Sequence, residues 1–233
     1  MDDFLNFQVI ADNFTYFMIG RYPNGPLGGL GLTLYLAVVS CILSVFGGLI
    51  LGLLSISKHA WVRWPTVLFI NAVRGLPLLM VIFWMYFLLP ILLGKTTPES
   101  QTVIMGLTLF TSAYMSQIVR AGIEGIPKGQ TEAALSTGLK PWQAMLYVVL
   151  PQGLRNMIPS FVNQFVSLIK DTSLAFIVGV SELTHVGTQI NNRTMAFPTE
   201  IFIFIAFVYF IICYAFTSLS RVLERKLSWN KAI

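Results

Sequence analysis

Charge is scarce in this chain of 233 residues. Asp, Glu, Lys and Arg together make up 11%, against 55% hydrophobic residues and a mean hydropathy of +0.73. Such a composition excludes an ordinary soluble domain and implies an integral membrane protein. Only two cysteines occur, Cys41 and Cys213. Both fall inside apolar runs, where they act as small apolar side chains and say nothing about redox compartment. The two histidines, His59 and His185, stand alone in separate polar segments, so no metal or cofactor is expected. There is no Gly-x4-Gly-Lys-Ser/Thr stretch to cradle a phosphate, which excludes nucleotide hydrolysis by this chain. Nor is there a cluster of His, Asp and Glu or a nucleophile beside a base, which argues against a membrane enzyme. No basic region precedes a short apolar core near the amino terminus, so a cleaved signal peptide is not expected.

What is present is a series of long uncharged runs. Crossing a bilayer takes about 20 mostly apolar residues. Five spans are expected, at about 27–56, 66–93, 102–119, 156–180 and 200–220, making the fold all-α and polytopic. The fourth is apolar except for the adjacent pair Lys170 and Asp171. Residues 1–26 form an arm with Phe4, Phe7, Phe14, Tyr16 and Phe17, either a helix lying on the interface or a disordered tail. Residues 226–233 are a short tail.

The loop charges set the orientation. One set of segments carries Lys58, Arg63, Arg74, Arg120, Lys128, Lys140, Arg155, Arg221, Arg225, Lys226 and Lys231. The other carries only Arg21, Lys95 and Arg193, beside Asp2, Asp3, Asp12, Glu99, Glu182 and Glu200. Basic residues favour the cytoplasmic side. The amino terminus is therefore expected outside and the carboxyl terminus in the cytoplasm. The net charge of +5 is a topology signal and not a sign of nucleic-acid binding.

Small residues and prolines mark the helix contacts and ends. Gly48 and Gly52 form a small-xxx-small pair that allows close helix packing. Pro77, in the run from Val73 to Leu79, should bend the second span, and Pro90 should end it. The longest polar insert, from Arg120 to Arg155, is patterned. Ile126-Pro127-Lys128-Gly129 reads as a turn and residues 130–137 as a helix. Gly138 then gives a sharp stop. Pro141 suits the first position of a second helix, expected over 142–150 and ending at Pro151. The result is an elbow of two helices at 128–151 that something outside the membrane can grip.

Glu132-Ala133-Ala134, Gly138 and Val148-Val149-Leu150-Pro151 are spaced like the Glu-Ala-Ala motif of permease subunits in bacterial ATP-binding-cassette importers, with Val148 in place of Ile. The stretches 113–123, 126–130, 150–152 and 168–174, and the run Arg74 to Leu79, resemble the polar-amino-acid uptake branch. The likeness covers roughly residues 28–225. One departure is Gln117, where many members carry Glu, which removes a charge near the end of the third span.

The resemblance implies a transport subunit with a coupling elbow fitted to a cytoplasmic ATPase dimer through Glu132, Ala133, Ala134, Gly138, Leu150 and Pro151. It also implies a second permease subunit, identical or homologous, and an external solute-binding protein in a bacterial inner membrane. The run from Leu76 to Leu89 looks closest to permeases for acidic amino acids.

For the route itself, ionisable groups within spans are functional candidates. Lys170 and Asp171 point about 100° apart on a helix. They either face the pathway or hold the fourth span in place. Asn163, Ser167 and Lys170 share one face, with Gln164 beside them. That stripe suits a wet passage or hydrogen bonding between helices. A transporter driven by an ion gradient is the alternative reading, and it leaves the elbow without a purpose.

Overall fold

The uncharged runs are helices. The computed structural model describes the backbone of residues 7–229 and the side chains of residues 7–226, and among these there is no named strand. Two short helices open the chain, α1 (Gln8–Asp12) and α2 (Phe14–Ile19). The long α3 (Gly29–Ser55) follows, then α4 (Ala60–Arg74), α5 (Leu78–Leu93) and α6 (Glu99–Glu124). Next come α7 (Lys128–Ser136), α8 (Pro141–Ala144), a π-helical turn Met145–Val149, α9 (Leu150–Asp171) and a 3-10 segment Thr172–Val178. The chain closes with α10 (Leu183–Thr194) and α11 (Pro198–Trp229). Asp2, Asp3, Phe4 and Lys231 lie outside the described residues.

Among the described residues, four helical stretches are long and apolar enough to cross a bilayer: Gly29–Ser55, Glu99–Glu124, Pro141–Val178 and Pro198–Lys226. The pair α4 and α5 makes a fifth if its two pieces count as one broken span. The break falls at Gly75-Leu76-Pro77. Pro77 is extended at ψ 134° and the helix restarts one residue later. A proline there has no N–H to give the preceding turn.

Two other prolines do not act as the sequence suggests. Pro90 lies within the last turn of α5, and the helix ends only at Gly94, whose neighbour Lys95 donates its N–H to the Pro90 carbonyl at 3.2 Å. Pro151 does not stop the elbow's second helix at all. The π turn before it, with the Leu150 N–H bonded back to Met145, widens the coil. The proline ring gains room there, where an α-turn would press it on the Tyr147 carbonyl.

The chain packs as two units. The first takes residues 1–42, 76–108 and 165–215. Its core joins Phe17, Leu183, Val186, Ile190, Ile201 and Ile205, and Phe17 sets its ring edge-on to Phe204 with centroids 5.0 Å apart. This burial places residues 8–19 on the helices and not in a loose tail.

The second unit takes residues 43–75, 109–164 and 216–233. Here α3 and α6 approach through the glycine positions. A Cβ at Gly48 would stand 2.5 Å from the Met115 Cβ, and one at Gly52 2.6 Å from a Val119 methyl. Arg74, at the end of α4, lays its guanidinium over the Tyr114 ring at 5.2 Å.

These approaches predict a contrast between glycines. Gly52→Leu overpacks the α3–α6 contact and lowers unfolding stability by ~1–3 kcal/mol. Gly129, inside α7 with nothing near its Cβ position, gains ~0.5–1 kcal/mol on change to Ala. Thermal melts of detergent-purified variants check both. A Gly52→Leu protein that melts like the wild type contradicts the packing.

Candidate functional site

The elbow is built from local hydrogen bonds. After α6, Gly125 and Ile126 close its end by donating to Ala121 and Ile123. Pro127, at ψ 134°, starts α7, so the turn occupies 125–127 and Lys128 and Gly129 are already helical. Thr137 donates its N–H to Ala133, and Gly138 donates to Leu135 at 3.0 Å. Gly138 has φ +86°, a left-handed conformation that costs glycine little and an L side chain about 1–2 kcal/mol. The reversal follows from that one residue. Lys140 then donates its N–H to the Gln143 side-chain oxygen at 2.8 Å, with Pro141 in the first helical position.

α7 packs on the π turn, and this divides the motif residues. Ala134 is 5% exposed and belongs to the elbow's own packing, with Ala144 and Val149 also buried. Glu132, Ala133 and Gly138 are exposed. Gln152 braces the joint, its amide donating to the Val148 carbonyl at 2.9 Å and to the Gln130 side-chain oxygen at 3.3 Å. Leu150 is half-buried and Pro151 exposed. The outer surface also shows Leu135, Trp142, Leu146 and Tyr147, the last 61% exposed. Arg120 and Glu124 pair at 2.9 Å just ahead of the elbow.

The second helix of the elbow runs on, through the π turn, into α9, giving a single helical stretch Pro141–Val178. Along α9, Asn163 and Lys170 are exposed, and Gln164, Ser167 and Asp171 are half-buried. The α-helix ends at Asp171. Thr172 and Ser173 then turn their hydroxyls to the Ile169 and Lys170 carbonyls at 2.6 and 2.7 Å. Lys170 and Asp171 therefore sit where α gives way to 3-10, not deep inside a regular helix. Among the described residues no three His, Cys, Asp or Glu gather as metal ligands.

Glu182 is the site that loop counting overlooks. It is fully buried and caps α10, accepting the N–H of Thr184 and of His185 at 2.8 Å each and the Tyr209 hydroxyl at 3.0 Å. The next residue, Leu183, donates its N–H to the Thr33 hydroxyl, and Gly29 donates to Ser181. The carboxyl thus ties the start of α10 to α11, and its neighbours Ser181 and Leu183 tie the same turn to the start of α3. The available sequence signal was an acid directly before the apolar spacing Leu183, Val186, Ile190. Burial pushes the Glu182 carboxyl up to about 7, and the hydrogen bonds from Thr184, His185 and Tyr209 only partly oppose it.

A carboxyl that binds its proton more tightly when folded adds stability below its unfolded value. That stability is lost as pH rises through the folded one. The melting temperature should therefore fall between about pH 5 and pH 8. Glu182→Gln should flatten that dependence while costing ~1–3 kcal/mol, because its NH2 meets donors. An unchanged slope in the variant assigns the pH dependence to another group.

The family described as binding-protein-dependent transport system inner membrane component matches residues 44–229. The chain is 40% identical over 212 residues to a Bacillus subtilis (strain 168) protein described as probable glutamine ABC transporter permease protein GlnP. That match covers 88% of this chain and 97% of the other. The glutamate/aspartate import permease protein GltK of Escherichia coli O157:H7 is 32% identical over 207 residues, with 86% and 92% covered. Among solved structures, the crystal structure of an amino acid ABC transporter with histidines superposes with a TM-score of 0.83 at 28% identity. It covers 95% of this chain and 99% of that one.

Proposed function

The chain belongs to the family of binding-protein-dependent transport system inner membrane components, and we propose on that premise that it carries a polar amino acid across the bilayer. It is a multi-pass permease subunit, a transport component whose ATP hydrolysis resides on a separate chain. Two copies of a cytoplasmic ATPase, a second permease subunit and an external binding protein complete the machine. The amino terminus faces outward and the carboxyl terminus the cytoplasm. An arm at 1–26, a permease body at 27–225 and a tail at 226–233 divide the work.

The observation that carries this reading is the elbow's two-sided construction. Its inner side is fixed by Ala134, Ala144, Val149 and the Gln152 brace, while Glu132, Ala133 and Leu135 face out. A braced, exposed helix can seat in a partner's cleft and transmit its displacement. Because α8 passes through the π turn into α9, the elbow and the polar face share one helical stretch, with Pro159 inside it between Asn156 and Asn163. Asn163, Gln164, Ser167, Lys170 and Asp171 line the route in this reading.

The substrate is an amino acid with a polar side chain, which glutamine and glutamate both satisfy. Relatives named for each support the class. Lys170 favours an anionic group, and Asn163 and Gln164 an uncharged one.

Uptake by vesicles containing the chain and its partners tests the coupling. Glu132→Lys reverses the charge at the elbow and should cut uptake about tenfold or more, the equivalent of one lost charge-assisted contact, while ATP hydrolysis continues. Wild-type uptake by this variant contradicts the coupling role. Competition by Gln, Glu, Asp, His and Arg in the same vesicles ranks the substrates.

A further inference from the structure

The polar face of α9 extends beyond the residues assigned above. Asn156, Ser160, Asn163, Ser167 and Lys170 follow one another at steps of four, three, four and three, and so share one side of the helix. Leu168 and Ile169 are buried on the far side, and Met157 and Val166 are buried on its flanks. At its elbow end the polar face enters a cleft of about 480 Å³ between α9 and α6. Gln117, Asn156 and Ser160 bring their side chains to it. Among the described residues none of these three side chains has a hydrogen-bond partner.

The cleft exists because α6 and α9 meet at Gly122. A Cβ there would lie 2.4 Å from Met157, whose side chain fills the contact. Gly122 and Gly125 leave the α6 wall low, and Ala121 stands exposed at the rim.

We propose that this cleft is a second station for the transported solute, on the elbow side of the bundle, that holds an uncharged hydrogen-bonding group such as a carboxamide. The assignment rests on the transport reading above and adds a site to it. Two amides and a hydroxyl offer donors and acceptors together and no charge. Among the described residues no ionisable side chain lines the cleft, so a carboxylate side chain would lose water there without gaining a cation. An aliphatic side chain would leave all three protein groups unpaired. The volume lies within the range of small-molecule sites. Continuity with the polar face makes the cleft the next resting place for a solute leaving Asn163.

The test uses the full complex, with its ATPase and second permease subunit, in nanodiscs. Cys41 and Cys213 are replaced by Ser and the probe is Ala121→Cys, which borders the cleft without supplying a polar contact. Millimolar L-glutamine should slow maleimide labelling of that cysteine, and L-leucine should not. Adding Gln117→Leu or Asn156→Leu should raise the half-protecting glutamine concentration about tenfold, the effect of one lost hydrogen bond. Equal protection by both amino acids, or by neither, overturns the station. So does a cross-link from Ala121→Cys to the other permease subunit, which would mean that a protein side chain fills the cleft. ATP-driven uptake by the same preparation keeps the two failures apart. If it persists without protection, only the station falls; if uptake needs no ATPase, the transport reading itself falls.

Discussion

A helix in hydrocarbon cannot leave hydrogen-bonding side chains without partners, and that constraint governs how this chain is used. α9 presents Asn156, Ser160, Asn163, Ser167 and Lys170 along one side, with Leu168 and Ile169 buried on the far side. Lipid is no partner for such a face. Water, a solute or another polar protein surface must meet it, and this fits a chain that works beside a second subunit around a route. The apolar composition makes the contrast sharp: with charge at 11%, few other faces could serve.

The elbow gains its meaning from its connection to that face. Gly138 reverses the chain, α7 braces the π turn, and the helix then continues as Pro141–Val178. A coupling segment ending at Pro151 would have passed motion through a hinge. The π turn lets the proline sit inside the helix, so the elbow and the start of α9 form one continuous helical piece. Rigidity on the inner side and exposure on the outer side are complementary, since a surface that yields on contact transmits nothing.

The apolar runs, the Gly138 reversal and the proline start of α8 were legible because each rests on a local rule of length, φ or missing N–H. The close approach at Gly48 and Gly52 was legible in type, and the structure supplied Met115 and Val119 as the partners. The continuity through Pro151 was hidden, because a π turn is a change of hydrogen-bond register that no residue pattern announces. Ala134 read as part of a docking surface, yet it faces the elbow's own packing, and only the fold of α7 decides which of two adjacent alanines turns inward. Glu182 counted as a loop acid, since its burial involves Tyr209, far away in sequence.

The most direct test of the central claim is the water accessibility of a spin label at Asn163→Cys in the assembled complex, measured without nucleotide and with a non-hydrolysable ATP analogue. If the elbow and the polar face form one lever, closing the ATPases changes that accessibility. A complex that binds the analogue and closes its ATPases, yet shows the same accessibility at Asn163 in both states, contradicts the account.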